Sequence, residues 1–356
     1  MIPVAEPFLG EKELEYVTDC VKSGWISSMG KYVNLFEGGF SKYCNSKHGV
    51  AVSNGTVALH LALAALGIGK GDEVIIPDLT FVATANAVAY TGAKPVMADI
   101  DKETWCIDTE KIKDKLTKKT KAIIPVHLYG HPCDMDPIME LADGREIKVI
   151  EDAAEAHGAE YKGKKVGSIG HIGCFSFYGN KIITTGEGGI CLTDDEKLAE
   201  RMRFLKDHGM SKEKRYWYDE IAYNYRMTNI QAALGVAQLE KIDKIVEAKR
   251  KNAQIYNSLL KGLKDIVLPA EKEWAKNVYW MYSILVDNRD ELIKKLEKNG
   301  IDSRPFFYPI HQLPMYKLDG QFPVSNEVSI KGINLPSSPT LAREQIEHIV
   351  KVIISS

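Results

Sequence analysis

The chain has 356 residues, 45% of them hydrophobic, and 46 basic against 48 acidic residues give a formal net charge of −2. This balance is typical of a globular protein of about two domains, and it argues against a nucleic-acid or anionic-membrane partner, since such partners require a basic cluster. The sequence has no apolar run of about 18 residues, so it predicts no membrane span.

The cysteines predict neither a metal site nor a disulfide framework. They form no Cys-x-x-Cys pair and are widely spaced: Cys20, Cys44, Cys106, Cys133, Cys174 and Cys191. The opening segment Met1–Pro7 lacks the basic and apolar regions of a secretory signal. We therefore expect a reduced, cytoplasmic protein that binds no metal.

The amino-terminal region predicts two amphipathic helices, Lys12–Lys22 and Asn34–Tyr43, on either side of a Gly/Ser-rich loop. That loop, Gly24–Lys31, contains Ser27 and is either a plain connector or a ligand contact.

A strand at His48–Ser53 turns through Asn54-Gly55-Thr56 into an apolar helix, Val57–Leu66. A helix that begins after such a turn presents free backbone N–H groups and the positive end of its dipole, which suits an anion. Thr56 either caps this helix or donates to a phosphate.

Strands and helices then alternate as far as residue 150, in the order Glu73–Pro77, Phe81–Tyr90, Lys94–Ile100, Thr109–Lys115, Lys121–His127, Pro137–Leu141 and Lys148–Ile150. This alternation predicts βαβ units and a mostly parallel sheet that is buried on both faces. Ligands of such sheets bind at the carboxyl ends of the strands.

Titratable groups cluster at one of these strand ends, namely Glu151, Asp152, Glu155 and His157. If the segment becomes helical, Asp152 and Glu155 share a face, and the small alanines between them leave room for a flat ligand. The alternative is a solvated, acidic helix start.

A second apolar strand, containing Phe175-Ser176-Phe177, leads through Gly179-Asn180 to Lys181 and a Gly-rich segment. An amine held against low-dielectric walls can form a Schiff base, although a surface lysine on a turn has the same local pattern. An anion site at Gly55-Thr56, a carboxylate at Asp152 and the amine of Lys181 together match the phosphate, ring nitrogen and aldehyde of pyridoxal 5′-phosphate (PLP). The sequence therefore predicts a PLP site.

The rest of the chain predicts one long helical region, Asn229–Asn257, and a smaller α/β unit. We place a large domain at residues 1–240, with amino-terminal helices that pack near the small domain, and a small domain at residues 241–356. The basic, aromatic segment Lys212–Tyr218 is either a packed loop or a contact to a nucleotide or partner subunit. The loop Arg304–His311 ends in a histidine. His311 either lines the entrance to a substrate site or is a loop histidine whose ring is hydrogen-bonded locally.

Four segments resemble the DegT/StrS-type sugar aminotransferases, and the resemblance covers nearly the whole chain: Ser53–Thr56, Glu151–Gly158, Phe175–Phe177 and Asn180–Gly189. Trp25–Ser28, Pro125–Asp136 and Tyr223–Asn229 are similar to the GDP-perosamine synthase subgroup of that family.

This resemblance implies a fold-type I PLP aminotransferase: a homodimer with shared active sites in which Lys181 forms the Schiff base, Asp152 contacts the ring nitrogen and Glu155 lies near the ring hydroxyl. Many members of the family have Gln at the last of these positions, so Glu155 is a departure. Further cofactor contacts implied are Phe81 on the ring face and Gly55, Thr56, Ser176 and a second subunit's Asn224 at the phosphate. Candidate substrate contacts are Ser27, His157, Tyr308 and His311.

The implied reaction moves the amino group of L-glutamate to the 4-keto carbon of GDP-4-keto-6-deoxymannose, a step of O-antigen synthesis. Alternatives are the same chemistry on a UDP- or dTDP-linked keto-sugar, or a regulatory protein with this fold and no turnover. Lys181 argues against a sugar dehydratase that lacks the lysine, and Ser53–Thr56 argues against a nicotinamide dehydrogenase, whose first turn is Gly-rich.

Overall fold

A seven-stranded sheet organises the larger part of the protein. The computed structural model describes residues 1–355. The strands of this sheet are β1 (His48–Val52), β2 (Glu73–Pro77), β3 (Lys94–Ala98), β4 (Thr120–Ile123), β5 (Lys148–Asp152), β8 (Ile172–Ser176) and β9 (Gly189–Thr193). Their order is β1-β9-β8-β5-β4-β2-β3, and β9 runs antiparallel to both of its neighbours while the other pairs are parallel. The predicted α/β fold with a mostly parallel sheet is confirmed.

Helices cover both faces of this sheet. They are α1 (Glu11–Ser23), α2 (Lys31–Tyr43), α3 (Gly55–Ala65), α4 (Ala83–Tyr90), α5 (Thr109–Lys113), α6 (Met135–Asp143), α7 (Glu196–Lys206) and α8 (Asn229–Leu239). Successive residues of β1 enter different apolar clusters: Val50 and Val52 pack with the α3 side, and Ala51 packs with the α2 side. Alternation of side chains along a strand therefore gives the sheet a core on each face.

A second, antiparallel sheet forms near the carboxyl terminus. Its strands are β10 (Ile266–Val267), β12 (Tyr282–Val286), β13 (Arg304–Pro305) and β14 (Gly332–Leu335), in the order β10-β12-β14-β13. The helices of this part are α9 (Ile242–Leu260), α10 (Arg289–Lys298), α11 (Pro323–Lys331) and α12 (Arg343–Ile354). A third, three-stranded sheet joins β11 (Ala275–Lys276) to β6 (Glu160–Tyr161) and β7 (Lys164–Lys165).

Helix α9 contributes to both units. Ile242 and Ile245 belong to the core of the large sheet, whereas Tyr256 and Leu260 pack with the small sheet. The first residues of the chain also reach the small unit, because Ile2 pairs with Ile301 and the carbonyl of Val4 accepts from Ser337.

One local prediction was wrong. The region Asn229–Asn257 is two helices, not one, because α8 ends at Leu239 and α9 begins at Ile242. The segment after β5, for which a helix was one possibility, forms consecutive turns. Among residues 1–355, no helix is both long and apolar enough to cross a membrane.

Candidate active site

A cavity of about 630 Å³ opens at the carboxyl ends of β2, β5 and β8, where the small sheet faces the large one. Parallel strands bring their carboxyl ends to one edge, which is why residues distant in sequence meet there. Seven of the predicted site residues line this single cavity: Gly55, Thr56, Phe81, Asp152, Glu155, Ser176 and Lys181.

Lys181 is a buried cavity lysine and not a surface residue. A tight turn positions it, since its N–H donates to the carbonyl of Tyr178 at 2.9 Å, and its side chain is 12% exposed. Nζ lies 3.8 Å from Oε1 of Glu155 and 3.8 Å from the centroid of the Trp280 ring. Burial lowers the pKa of Lys181, while the carboxylates of Glu155 and Asp152 act in the opposite direction. The lowered pKa favours the neutral, nucleophilic form of the amine.

Asp152 ends β5 and points its carboxylate to the same cavity. Its Oδ2 accepts from the hydroxyl of Thr84 at 2.8 Å, and Oδ1 accepts from the N–H of Ala154 at 3.2 Å. Its backbone is held as well, because Asp152 N–H donates to the carbonyl of Pro125 at 2.9 Å. Burial raises the pKa of Asp152 against these hydrogen bonds. A cationic ring N–H would supply the charge partner that a buried carboxylate requires.

Glu155 belongs to the turns after β5 and is 3% exposed. Its Oε2 accepts from the N–H of Tyr129 at 2.7 Å. Burial raises the pKa of Glu155 to about 7, and the nearby Lys181 partly opposes this shift. At neutral pH the side chain can therefore act either as a donor or as an acceptor, which Gln achieves only through a fixed amide.

The first turn of α3 forms an anion cradle. Asn54, not Thr56, caps the helix, because its Oδ1 accepts from the N–H of Val57 at 2.9 Å. The amides of Gly55 and Thr56 have no acceptor within the helix. A Cβ at Gly55 would lie 2.6 Å from Cβ of Ser176, so glycine allows the helix to approach the end of β8. The donors of this cradle fit the phosphate of PLP.

Aromatic side chains form the remaining walls. The Phe81 ring is 53% exposed and lies 5.6 Å, centroid to centroid, from Phe307. Its free face can carry a flat heterocycle. Trp280 lines the cavity beside Lys181, and the sequence alone does not identify it as a site residue. In the sequence it stands in an apolar run before β12, which is the usual pattern of a core residue.

Other predicted site residues do not line this cavity. Ser27 is an exposed loop residue whose carbonyl accepts from the N–H of Asn229. Tyr308 is 67% exposed. Asn224 is also exposed, and its Oδ1 accepts from Nη2 of Arg226 at 2.9 Å.

The two histidines are buried elsewhere. Nδ1 of His311 lies 2.7 Å from Oδ2 of Asp78, and its ring stacks on Phe322. His157 lies between Phe175 and Phe177, with ring centroids 5.3 Å from each. Burial lowers the pKa of His157 to about 3, so this imidazole is neutral. The geometry gives neither histidine a contact with the cavity.

Comparison with known proteins identifies relatives along the whole chain. The sequence model of the DegT/DnrJ/EryC1/StrS aminotransferase family matches residues 7–354. A GDP-perosamine synthase of Escherichia coli O157:H7 is 50% identical over 99% of this chain and 97% of its own length. A GDP-perosamine synthase of Vibrio cholerae is 48% identical over 99% of this chain and 98% of its own.

A solved structure shares the fold. A sugar aminotransferase from Streptococcus pneumoniae, described as putative and solved in its PLP form, superposes with a TM-score of 0.93 and 31% identity. The superposition covers 98% of this chain and 97% of that one.

Proposed function

The chain belongs to the DegT/DnrJ/EryC1/StrS aminotransferase family and is a PLP-dependent sugar aminotransferase, and from this premise we propose its substrates and the roles of its residues. The amino donor is L-glutamate, and the acceptor is the 4-keto carbon of GDP-4-keto-6-deoxymannose, so that the product is GDP-perosamine. The observation that carries the PLP chemistry is the meeting of Lys181, Asp152 and the Gly55 cradle in one cavity. The choice of acceptor is supported by the GDP-perosamine synthases that are 48% and 50% identical to this chain.

PLP, when bound, supplies an aldehyde carbon and an electron-withdrawing pyridine ring. Lys181 would hold the aldehyde carbon through Nζ, and the carboxylate of Asp152 would keep the ring nitrogen protonated. Backbone amides of Gly55 and Thr56, with the hydroxyl of Ser176, bind the phosphate. All of these residues line one cavity, which supports this assignment.

Two more residues orient the flat ring. The exposed face of Phe81 would stack on the ring, and Glu155 would face the ring hydroxyl with a proton that it can keep or release near neutral pH.

Lys181 also moves the proton. When it is not attached to the cofactor, its Nζ would be the basic group positioned to take the α-proton from a bound amino donor. The lowered pKa of Lys181 supports this role, because it favours the neutral form that a base requires. Trp280 and Phe307, which line the cavity with it, exclude water from that transfer.

The active unit that we propose is a homodimer. Asn224 is exposed and lies outside its own cavity, which suits a residue that reaches the phosphate of a second copy's cofactor. A cytoplasmic location agrees with the six free thiols.

The test is an amination assay in which GDP-, UDP- and dTDP-linked keto-sugars compete for glutamate nitrogen. We expect turnover with GDP-4-keto-6-deoxymannose and at least tenfold lower kcat/KM with the other two. Preference for a UDP- or dTDP-sugar would replace the proposed acceptor, and no turnover with any of them would favour a regulatory protein.

Lys181→Ala removes the amine from this reaction. Its turnover should fall by about 10³-fold or more, because both the covalent attachment and the base are lost. Its thermal unfolding should match that of the unchanged protein when neither contains cofactor. Full activity in this variant would contradict the assignment.

A further inference from the structure

The wall that faces Lys181 can do more in the reaction described above than exclude water. Trp280 forms this wall: it is 5% exposed, and its ring centroid lies 3.8 Å from Nζ of Lys181. This distance is within the range of a contact between a cation and an aromatic face. The indole is the best aromatic partner for a cation, and here the pair is largely shielded from water.

Trp280 is held firmly in this orientation. Its Nε1–H donates to the carbonyl of Asn180 at 2.8 Å, so the residue next to Lys181 fixes the ring. Its own carbonyl accepts from Nζ of Lys249 at 3.1 Å and from Oγ of Ser337 at 3.2 Å. The Tyr129 ring stacks on the indole at 6.1 Å and 19°. Contacts at both ends of the residue leave the indole little freedom to turn.

We propose that Trp280 is a positioning residue whose indole face receives the free amine of Lys181 as a cation and holds it beside the reacting carbon. The proposal rests on the proposed function in one respect, namely that Lys181 is the lysine that binds the cofactor. A free lysine side chain has four rotatable bonds and would otherwise sample many orientations at each turnover. A fixed aromatic face restricts it to one.

The charged surroundings of Lys181 give this contact a definite task. Glu155 and Asp152 favour the ammonium form, burial favours the neutral amine, and Glu187 and Arg304 are the other charged residues lining the cavity. The indole favours the ammonium without adding a formal charge. Lys181 can therefore keep a proton between its removal from one atom and its delivery to another, whereas a carboxylate in place of the indole would trap that proton.

The test compares Phe and Leu at position 280, because the two side chains are similar in volume and only Phe has an aromatic face. The amines of the cofactor-free protein are methylated with ¹³C-formaldehyde, and the resonance of Lys181 is identified by its absence from Lys181→Arg. Its pKa is then read from the change of chemical shift with pH. We expect the pKa of Lys181 to be about one higher in Trp280→Phe than in Trp280→Leu, a tenfold difference in proton affinity.

A matched pair at another tryptophan serves as the control. Trp274 packs on His131 and Tyr161 outside the cavity, so Trp274→Phe and Trp274→Leu should give the same pKa for Lys181. Equal pKa values in the two Trp280 variants would overturn the proposal, as would an equal difference in the Trp274 pair.

Turnover gives a second, separable measurement. With the preferred sugar, Trp280→Leu should lower kcat about tenfold or more with KM for glutamate nearly unchanged, and Trp280→Phe should recover most of this loss. A Leu variant with unchanged kcat would contradict the positioning role. The proposed function is tested separately by the amination assay. If that function is wrong, the protein will aminate no sugar, while the pKa difference between Trp280→Phe and Trp280→Leu will still be observed.

Discussion

At the scale of single residues, the site depends on charges that are buried with few counterions. Lys181, Asp152 and Glu155 share one cavity, and burial is the largest influence on the pKa of each. Lys249 is a fourth buried titratable group, and its amine donates to oxygens of Trp280 and Ser337. Since groups of this kind bind protons differently in the folded and unfolded chains, they make stability depend on pH.

Glu155→Gln tests the buried carboxyl. The folded protein binds a proton at Glu155 up to about pH 7, whereas the unfolded chain releases it near 4.5. Between these values the folded state holds more protons. The contribution of Glu155 to the unfolding free energy of the protein therefore falls as pH rises, by up to about 1.4 kcal/mol per pH unit. Urea unfolding of both cofactor-free proteins should show the difference in unfolding free energy changing between pH 4.5 and 7 and constant above. A constant difference throughout would contradict the raised pKa.

Lys249→Met tests the buried amine, and here the sign is reversed. Burial lowers the pKa of Lys249 from 10.5 to about 7. Between those values the unfolded chain holds the proton and the folded protein does not, so stability rises with pH and the gain is lost as pH falls toward 7. Denaturant unfolding of both proteins is measured from about pH 7 to 9.5. Over this range the unfolding free energy of the unchanged protein should rise, relative to that of Lys249→Met, by up to about 1.4 kcal/mol per pH unit. A flat difference would show that Lys249 remains charged in the folded state.

At the scale of elements, the site exists because helix α3 starts against the end of strand β8. Gly55 and Ser176 are separated by more than a hundred positions in the chain, yet a single Cβ would bring them into collision. The contact is close because the strand order places β8 and β9 between β5 and β1, which leads directly into α3.

Gly55→Ala should separate these two elements. The added Cβ would lie 2.6 Å from that of Ser176, so the helix start must shift and the phosphate cradle widens. We expect the dissociation constant for PLP to rise at least tenfold, measured by absorbance titration of the cofactor-free protein. Gly38→Ala is the control, since its Cβ meets nothing within 4 Å in α2. It should leave PLP affinity unchanged and raise stability by about 0.5–1 kcal/mol.

Local patterns were sufficient to predict most of this scaffold from the sequence. Strand β2 has the predicted bounds and helix α4 ends at the predicted residue, because each is an uninterrupted run between turn residues. The candidate cofactor site was also predictable in part, since Gly55, Asp152 and Lys181 each lie at or shortly after a strand end. Glu155 lines the cavity without a helix, because the turns after β5 also direct it inward.

Features that depend on long-range packing were not predictable. Trp280 resembles a core residue until the small sheet places it over Lys181, and His157 resembles a site residue until three phenylalanine rings surround it. The short strand β13 has no periodicity because it contains only two residues, Arg304 and Pro305. In each case, the partner that decides the outcome comes from another part of the chain.

At the scale of the whole molecule, the first residues of the chain connect the unit of the seven-stranded sheet to the small unit. Val4 is fully buried, its N–H donates to Oδ2 of Asp302 at 3.2 Å, and its carbonyl accepts from Ser337. Ser337 also receives the amine of Lys249, which in turn holds the carbonyl of Trp280. A series of hydrogen bonds therefore connects the amino-terminal segment to Trp280 in the cavity wall.

Val4→Ala should destabilise the protein by about 1–3 kcal/mol, because it leaves a cavity where the segment meets the small unit. The same substitution at Val21, which is 62% exposed on α1, should change the unfolding free energy by less than about 0.5 kcal/mol. Chemical denaturation of the two variants gives the comparison. Equal effects would mean that the segment is not anchored in the core.

The contacts between the amino-terminal segment and the small unit also limit the order in which the chain can fold during synthesis. Val4 and Glu6 find their partners 298 and 332 positions later, in Asp302 and Ser338. The residues that leave the ribosome first must therefore wait for nearly the last ones, although β1 to β9 can assemble earlier. Contacts of such high sequence separation are slow to form. Until they form, the apolar surface around Val4 is open to chaperones, and the newly made enzyme lacks a fully supported cavity wall.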